Sequence, residues 1–264
     1  MQKIFVVLEK IARFFCYNVG ENFFEEVHRT AMTEKIFAAL NFIRTTIIYI
    51  IYPPLCPLCQ EIVDDRNEIC DDCAKKIFRL DEEKFLPESL DGVFHITKYR
   101  EGTRDLLRKL KFDNNVKVLP TIKKILEKIS DNPELKNFLS EIDAATFVPL
   151  HQDRLKERGF NQTELIFKNF LAEKNLPIKN FLIRQKSTPR LFKFTPAERK
   201  KILQDAFAAV EGIILQRKKI LIVDDIYTTG ATTSECARVL KNFGAEKVFV
   251  LAFASDSEEK INGG

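Results

Sequence analysis

Hydrophobic and polar positions follow three rhythms along this chain. From Ile36 to Tyr52 apolar residues recur at helical spacing, and the run stops at Pro53-Pro54, which cannot continue a helix. This predicts an amphipathic helix packed on the body of the protein. Gly92 to Tyr99 alternates as a strand, and Thr103 to Phe112 returns to helical spacing through Leu106, Leu107 and Leu110. Ala144 to Val148 reads as a short strand leading into Pro149-Leu150-His151. Ile220-Leu221-Ile222-Val223 is apolar without interruption, the pattern of a strand covered on both faces of a parallel sheet. A helix follows from about Thr232 to Phe243. The expected fold is α/β, a mainly parallel sheet flanked by helices.

The first fifty residues carry no membrane signal. Ile4 to Phe15 mixes apolar residues with Glu9, Lys10 and Arg13, so it lacks the apolar centre of a signal peptide. Arg44 interrupts the segment from Ile36 to Tyr52 and leaves a clean run far short of the roughly twenty residues a spanning helix needs. No integral membrane span and a cytoplasmic location are expected, with membrane-surface association as the alternative.

The chemistry begins where the apolar strand ends. Asp224 and Asp225 fall just past Val223, where an open α/β sheet places its ligands. Thr228, Thr229, Gly230, Ala231 and Thr232 carry small side chains and hydroxyls, so their N–H groups can close around a phosphate. The helix that follows turns its positive end to the same anion. Two acids for sugar hydroxyls beside a phosphate cradle describe a sugar-phosphate site; the bland alternative is a strand-turn-helix capped at Thr232.

A second constellation lies upstream. Cys56, Cys59, Cys70 and Cys73 form C-x2-C-x10-C-x2-C. Two such knuckles complete a tetrahedral sulfur site, which suits Zn2+ and leaves no open coordination position, so the metal is structural. Disulfides, a redox CxxC pair and an iron–sulfur cluster are the alternatives. Cys16 and Cys236 have no partner pattern, and Cys236 is expected in the core.

Composition adds little. The hydrophobic content of 45% allows a real core, and a net charge of +4 is too small to argue for nucleic acid by itself. Local charge says more. Lys98 to Lys124 holds nine basic residues against three acids, and Arg184 to Lys201 holds seven against Glu198 alone. Such runs suit DNA, a diphosphate-bearing small molecule, or a solvated helix face.

The segment VDDIYTTGAT resembles the phosphoribosyl diphosphate (PRPP) motif of type I phosphoribosyltransferases. The order CPLC, CDDC, YREGTRDLLRKLKF, VPLHQDRLKERGFNQ and then this motif resembles the ComF family of competence-associated and GntX-like proteins, over about Ile50 to Ala254. The resemblance implies that Asp224 and Asp225 bind the ribose hydroxyls and serve catalysis. Thr228, Thr229, Gly230, Ala231 and Thr232 would then hold the 5′-phosphate. It further implies a diphosphate contact from the loop after Val148, where Arg158 and Asn161 are favoured, with Lys111 as either another phosphate-neutralising group or a surface lysine. A helix cap with a packed Phe160 is the alternative for that loop, and His151 is a candidate neighbour. PRPP would come with Mg2+.

The stretch from Arg184 to Lys201 corresponds to a region that closes over the site, with Arg184, Thr188 and Arg199 matching the family pattern. Thr228 stands where some purine-salvage members carry an acid, which argues against an aspartate base at that position. The implied organisation is an N-terminal helical extension (1–52), a four-cysteine zinc knuckle (53–80) and a phosphoribosyltransferase-like domain (90–264). The implied function is PRPP–Mg2+ binding in DNA uptake and natural transformation, with turnover on an unknown acceptor open. The alternative is a non-catalytic protein that binds single-stranded DNA or senses PRPP beside competence and recombination proteins.

Overall fold

The structure, a computed structural model, describes residues 32–64, 69–73, 81–82, 86–189 and 191–256. The readings for Ile4 to Phe15 and for Cys16 lie outside the described residues. The chain divides into two compact units, residues 1–70 and 71–264.

In the first unit helix α1 (Met32–Ile51) ends two residues before the Pro53-Pro54 stop. Its apolar positions are exposed: Phe37 keeps 67% of its surface, and Ile43, Ile47 and Ile51 keep half or more. Among its described side chains only Tyr49 is buried. The apolar residues ring the helix instead of forming one narrow stripe. Even so, no described helix is long and apolar enough to cross a membrane.

In the second unit a five-stranded sheet has the order β1-β2-β7-β6-β3. Its strands are β1 (Asp81–Glu82), β2 (Gly92–Lys98), β3 (Ala144–Phe147), β6 (Lys219–Tyr227) and β7 (Lys247–Ser255). All neighbours run parallel except the short β1, which pairs antiparallel with β2. Helix α2 (Glu101–Phe112) follows β2; α3 (Leu119–Ile129) and α4 (Pro133–Ser140) lead to β3, and α5 (Gln152–Arg158) and α6 (Gln162–Glu173) leave it. A separate antiparallel pair, β4 (Leu182–Arg184) and β5 (Phe207–Ala209), brackets helix α7 (Pro196–Leu203). Helix α8 (Ala231–Asn242) joins β6 to β7.

The central strand explains the apolar run. Ile220, Leu221, Ile222 and Val223 are fully buried because both faces of β6 are covered. Ile220 and Ile222 pack with Cys236, Ala237 and Leu240 of α8. The opposite face is covered by α6, whose Phe167 meets Phe253 of β7 edge-on at 6.4 Å. Cys236 is buried in the core as expected.

One boundary differs in a way that matters. The strand does not stop at Val223 but runs to Tyr227. Aspartates are poor strand formers, yet β7 extends alongside and pairs Asp224 with Ala252 and Tyr227 with Ser255. On the other side β3 ends at Phe147, opposite Val223. From Asp224 onward β6 has a ladder partner on one side only, and a crevice opens there.

Candidate sugar-phosphate site and metal centre

Consecutive strand residues point to opposite faces, so the two adjacent acids see different surroundings. Asp225 is buried and faces α2. Lys111 reaches it from 114 residues upstream, its Nζ lying 3.1 Å from Oδ1 and 3.0 Å from Oδ2. Asp224 faces the other way and lines a pocket with Leu191, Arg199, Ile226 and residues 227–233. Its Oδ1 accepts the backbone N–H of Asp225 at 2.8 Å. Burial pushes the Asp224 carboxyl up to about 7; the Asp225 carboxylate adds to the rise, and Lys111 opposes it only in part.

The turn after β6 depends on Gly230. Its φ of +71° is the left-handed region that L side chains avoid, and a Cβ there would lie 2.5 Å from the Tyr227 hydroxyl. Gly230 caps α8, whose next residues, Ala231, Thr232 and Thr233, supply the first N–H groups of the helix. The cap therefore falls two residues before Thr232, the position named for it in the bland reading. The pocket joins Asp224 to this helix start.

Helix α7 lies over the same crevice. A capping box at Thr195 and Glu198 starts it. Arg199 donates through Nε to the carbonyls of Leu191 and Phe194 and through Nη1 to the Thr228 hydroxyl at 3.3 Å. Arg184, at the end of β4, donates to the Thr188 hydroxyl and lies over the Phe207 ring at 5.3 Å. Arg154 of α5 donates to the Thr188 carbonyl at 3.1 Å. Burial first, then the nearby Arg154 charge, holds the Arg184 guanidinium below its usual value, while Cys236 and Asp224 act the other way.

The remaining predicted residues are placed differently. Asn161 caps α6, accepting the Thr163 N–H at 3.1 Å and donating to the Val148 carbonyl at 3.0 Å. Arg158 closes α5, with Gly159 as its left-handed C-cap. His151 caps α5 at the other end through the Asp153 N–H. Neither Arg158, Asn161 nor Lys111 lines the Asp224 pocket, whereas Arg199 does. The sequence signal for Arg199 was its place in the basic stretch with Arg184 and Thr188.

The cysteines form the second centre. The sulfurs of Cys56, Cys59, Cys70 and Cys73 lie within 4.8 Å of one another, and none forms a disulfide. The first knuckle sits in a small hairpin: Leu55 bridges Ile62, and Cys56 exchanges backbone bonds with Glu61 and Gln60. Burial pushes the Cys56 thiol up, but hydrogen bonds with the backbone of Cys70, Cys59 and Leu58 outweigh it and hold the thiol below its usual value. Four sulfurs this close, one of them disposed to ionise, fit a tetrahedral zinc ion.

A mainly parallel sheet whose central strand carries paired acids and turns through a glycine into a helix start defines an α/β protein, and the chain also carries a four-cysteine cluster. Residues 47–84 match the double zinc ribbon domain. The chain is a relative of Competence protein F from Haemophilus influenzae, 26% identical over 76% of this chain and 84% of that protein. DNA utilization protein YhgH from Escherichia coli is 25% identical over 74% of this chain and 82% of that one. Among solved structures, adenine phosphoribosyltransferase from Leishmania donovani is 12% identical with a TM-score of 0.36, over 70% of this chain and 93% of that chain.

Proposed function

We propose that the crevice beyond Val223 binds PRPP with Mg2+ and that the protein acts in DNA uptake and natural transformation. The observation that carries this reading is the shared pocket of Asp224 and the α8 helix start. A 5′-phosphate bonded to the N–H groups of residues 231–233 leaves the ribose hydroxyls facing Asp224. Asp225 acts through Lys111, which sets the charge balance on the far side of the strand. Arg199 is held against the Thr228 hydroxyl and is positioned to take a phosphate oxygen in its place. Mg2+ bound with PRPP would neutralise its diphosphate, and Asp224 is the carboxylate lining the pocket that could help hold it. The competence and DNA-utilization names of the relatives supply the cellular setting.

A second reading, a non-catalytic single-stranded-DNA or PRPP-sensing protein, draws on the exposed Arg104, Arg108 and Lys109 of α2. Equilibrium binding of labelled PRPP with and without Mg2+ tests the first reading. Mg2+-dependent retention that vanishes in Asp224→Asn/Asp225→Asn is expected, and no retention by the native protein overturns it. Salt-sensitive DNA binding that persists in the double variant favours the second reading.

A further inference from the structure

Beside the PRPP pocket, three elements bring two guanidinium groups to one residue. Thr188, buried in the loop after β4, accepts from Arg184 with its hydroxyl and from Arg154 with its carbonyl. Among the described residues no carboxylate stands at ion-pair distance from either guanidinium. The Nε of Arg184 is buried and has no hydrogen-bond partner. Arg184 is further fixed over the Phe207 ring, so its fork is oriented before any ligand arrives. Two like charges held together in a partly buried place repel one another, and an unpartnered buried N–H adds a desolvation cost. An anionic group between them would relieve both.

We infer that Arg184 and Arg154, joined through Thr188, form a second anion subsite that takes a carboxylate or phosphate on the molecule meeting PRPP in this crevice. The inference deepens the PRPP reading by giving the unknown acceptor a chemical class: an anionic ligand, not a neutral nucleobase. It is separable from that reading, because the subsite requires no PRPP to form. A planar carboxylate on a ring can accept from the Arg184 fork, and a phosphate can accept from both arginines.

Titration of the protein with benzoate and with inorganic phosphate, each alone and in the presence of PRPP and Mg2+, tests it. Either probe should bind, and Arg184→Gln should weaken that binding about tenfold or more. Arg154→Gln, on a short surface helix, should weaken it by a smaller factor and serves as the control if Arg184→Gln does not fold. PRPP affinity should stay within about threefold of native in both variants. A benzoate preference identifies a carboxylate acceptor, and a phosphate preference a phosphorylated one. The inference is overturned if neither probe binds, or if the variants leave probe binding intact. It is also overturned if the variants weaken PRPP as much as the probes, which would assign the arginines to the diphosphate. Failure of native protein to bind PRPP, with probe binding intact and lost in the variants, would sink the PRPP reading and leave this one standing.

Discussion

The cysteine cluster and the carboxylate pocket are built in opposite ways. The cluster draws four like ligands from an 18-residue stretch, and a local hairpin brings the first pair together. The pocket draws unlike groups from β6, α8 and α7, while Lys111 and Asp225, 114 residues apart, meet behind it. A metal centre can be specified by spacing alone, because each ligand does the same work. A sugar-phosphate site needs an acid, an anion cradle and cations, and only the tertiary fold decides which residues supply them.

The largest effect should come from breaking the local centre. Cys56→Ala removes a fully buried ligand, and zinc content should fall from about one ion per chain to near none. Metal analysis reads the loss, and hydrogen exchange should show the hairpin at Leu55 and Ile62 opening. PRPP binding should survive, since no cysteine lines the pocket.

Gly230→Ala strikes the distributed centre at its tightest point. The left-handed φ and the Tyr227 contact together predict a loss of about 2 kcal/mol or more, read as a fall of about 5 °C in the thermal midpoint. Phosphate affinity should fall with it, because the turn aims the α8 N–H groups.

The paired acids should respond with opposite signs. Asp225→Asn leaves the half-buried Lys111 without its carboxylate and should destabilise by about 1–3 kcal/mol. Asp224→Asn should stabilise the protein at neutral pH and above. The Asp224 carboxyl titrates at about 7 when folded, against about 3.9 when unfolded. Between those values the folded protein keeps a proton that the unfolded chain has released. This contribution to stability is therefore present below pH 4, declines as pH rises to 7 and is lost above it. Thermal midpoints across that range should show the decline in the native protein and a flatter profile in Asp224→Asn.

The smallest effect belongs to the helix over the crevice. Thr195→Ala removes the capping box of α7 and should cost about 1 kcal/mol locally. Amide exchange in α7 should quicken while the global midpoint barely moves.

The same contrast explains what was legible in the sequence. The strand, the acids, the turn and the helix are contiguous, so their pattern announced the pocket, and the cysteine spacing announced the metal centre. The strand end was misplaced at Val223 because β7, 28 residues away at the pairing of Val223 with Leu251, sustains the ladder through the acids. Asn161 carries a residue type suited both to ligands and to helix caps, and the fold uses it as a cap. Lys111 forms an ion pair with Asp225, a contact no local pattern encodes. Arg154 and Arg184 meet at Thr188 while Arg199 reaches Thr228 from α7, contacts that could be read only from the fold.

Asp224 and the α8 helix start are proposed to form one sugar-phosphate site. Calorimetric titration of the zinc-loaded protein with PRPP and Mg2+ tests it most directly, with Asp224→Asn and Asp225→Asn run separately. The native protein should bind, with a loss of about tenfold or more in Asp224→Asn and a smaller loss in Asp225→Asn. No binding by the native protein, or unchanged affinity in Asp224→Asn, would contradict it.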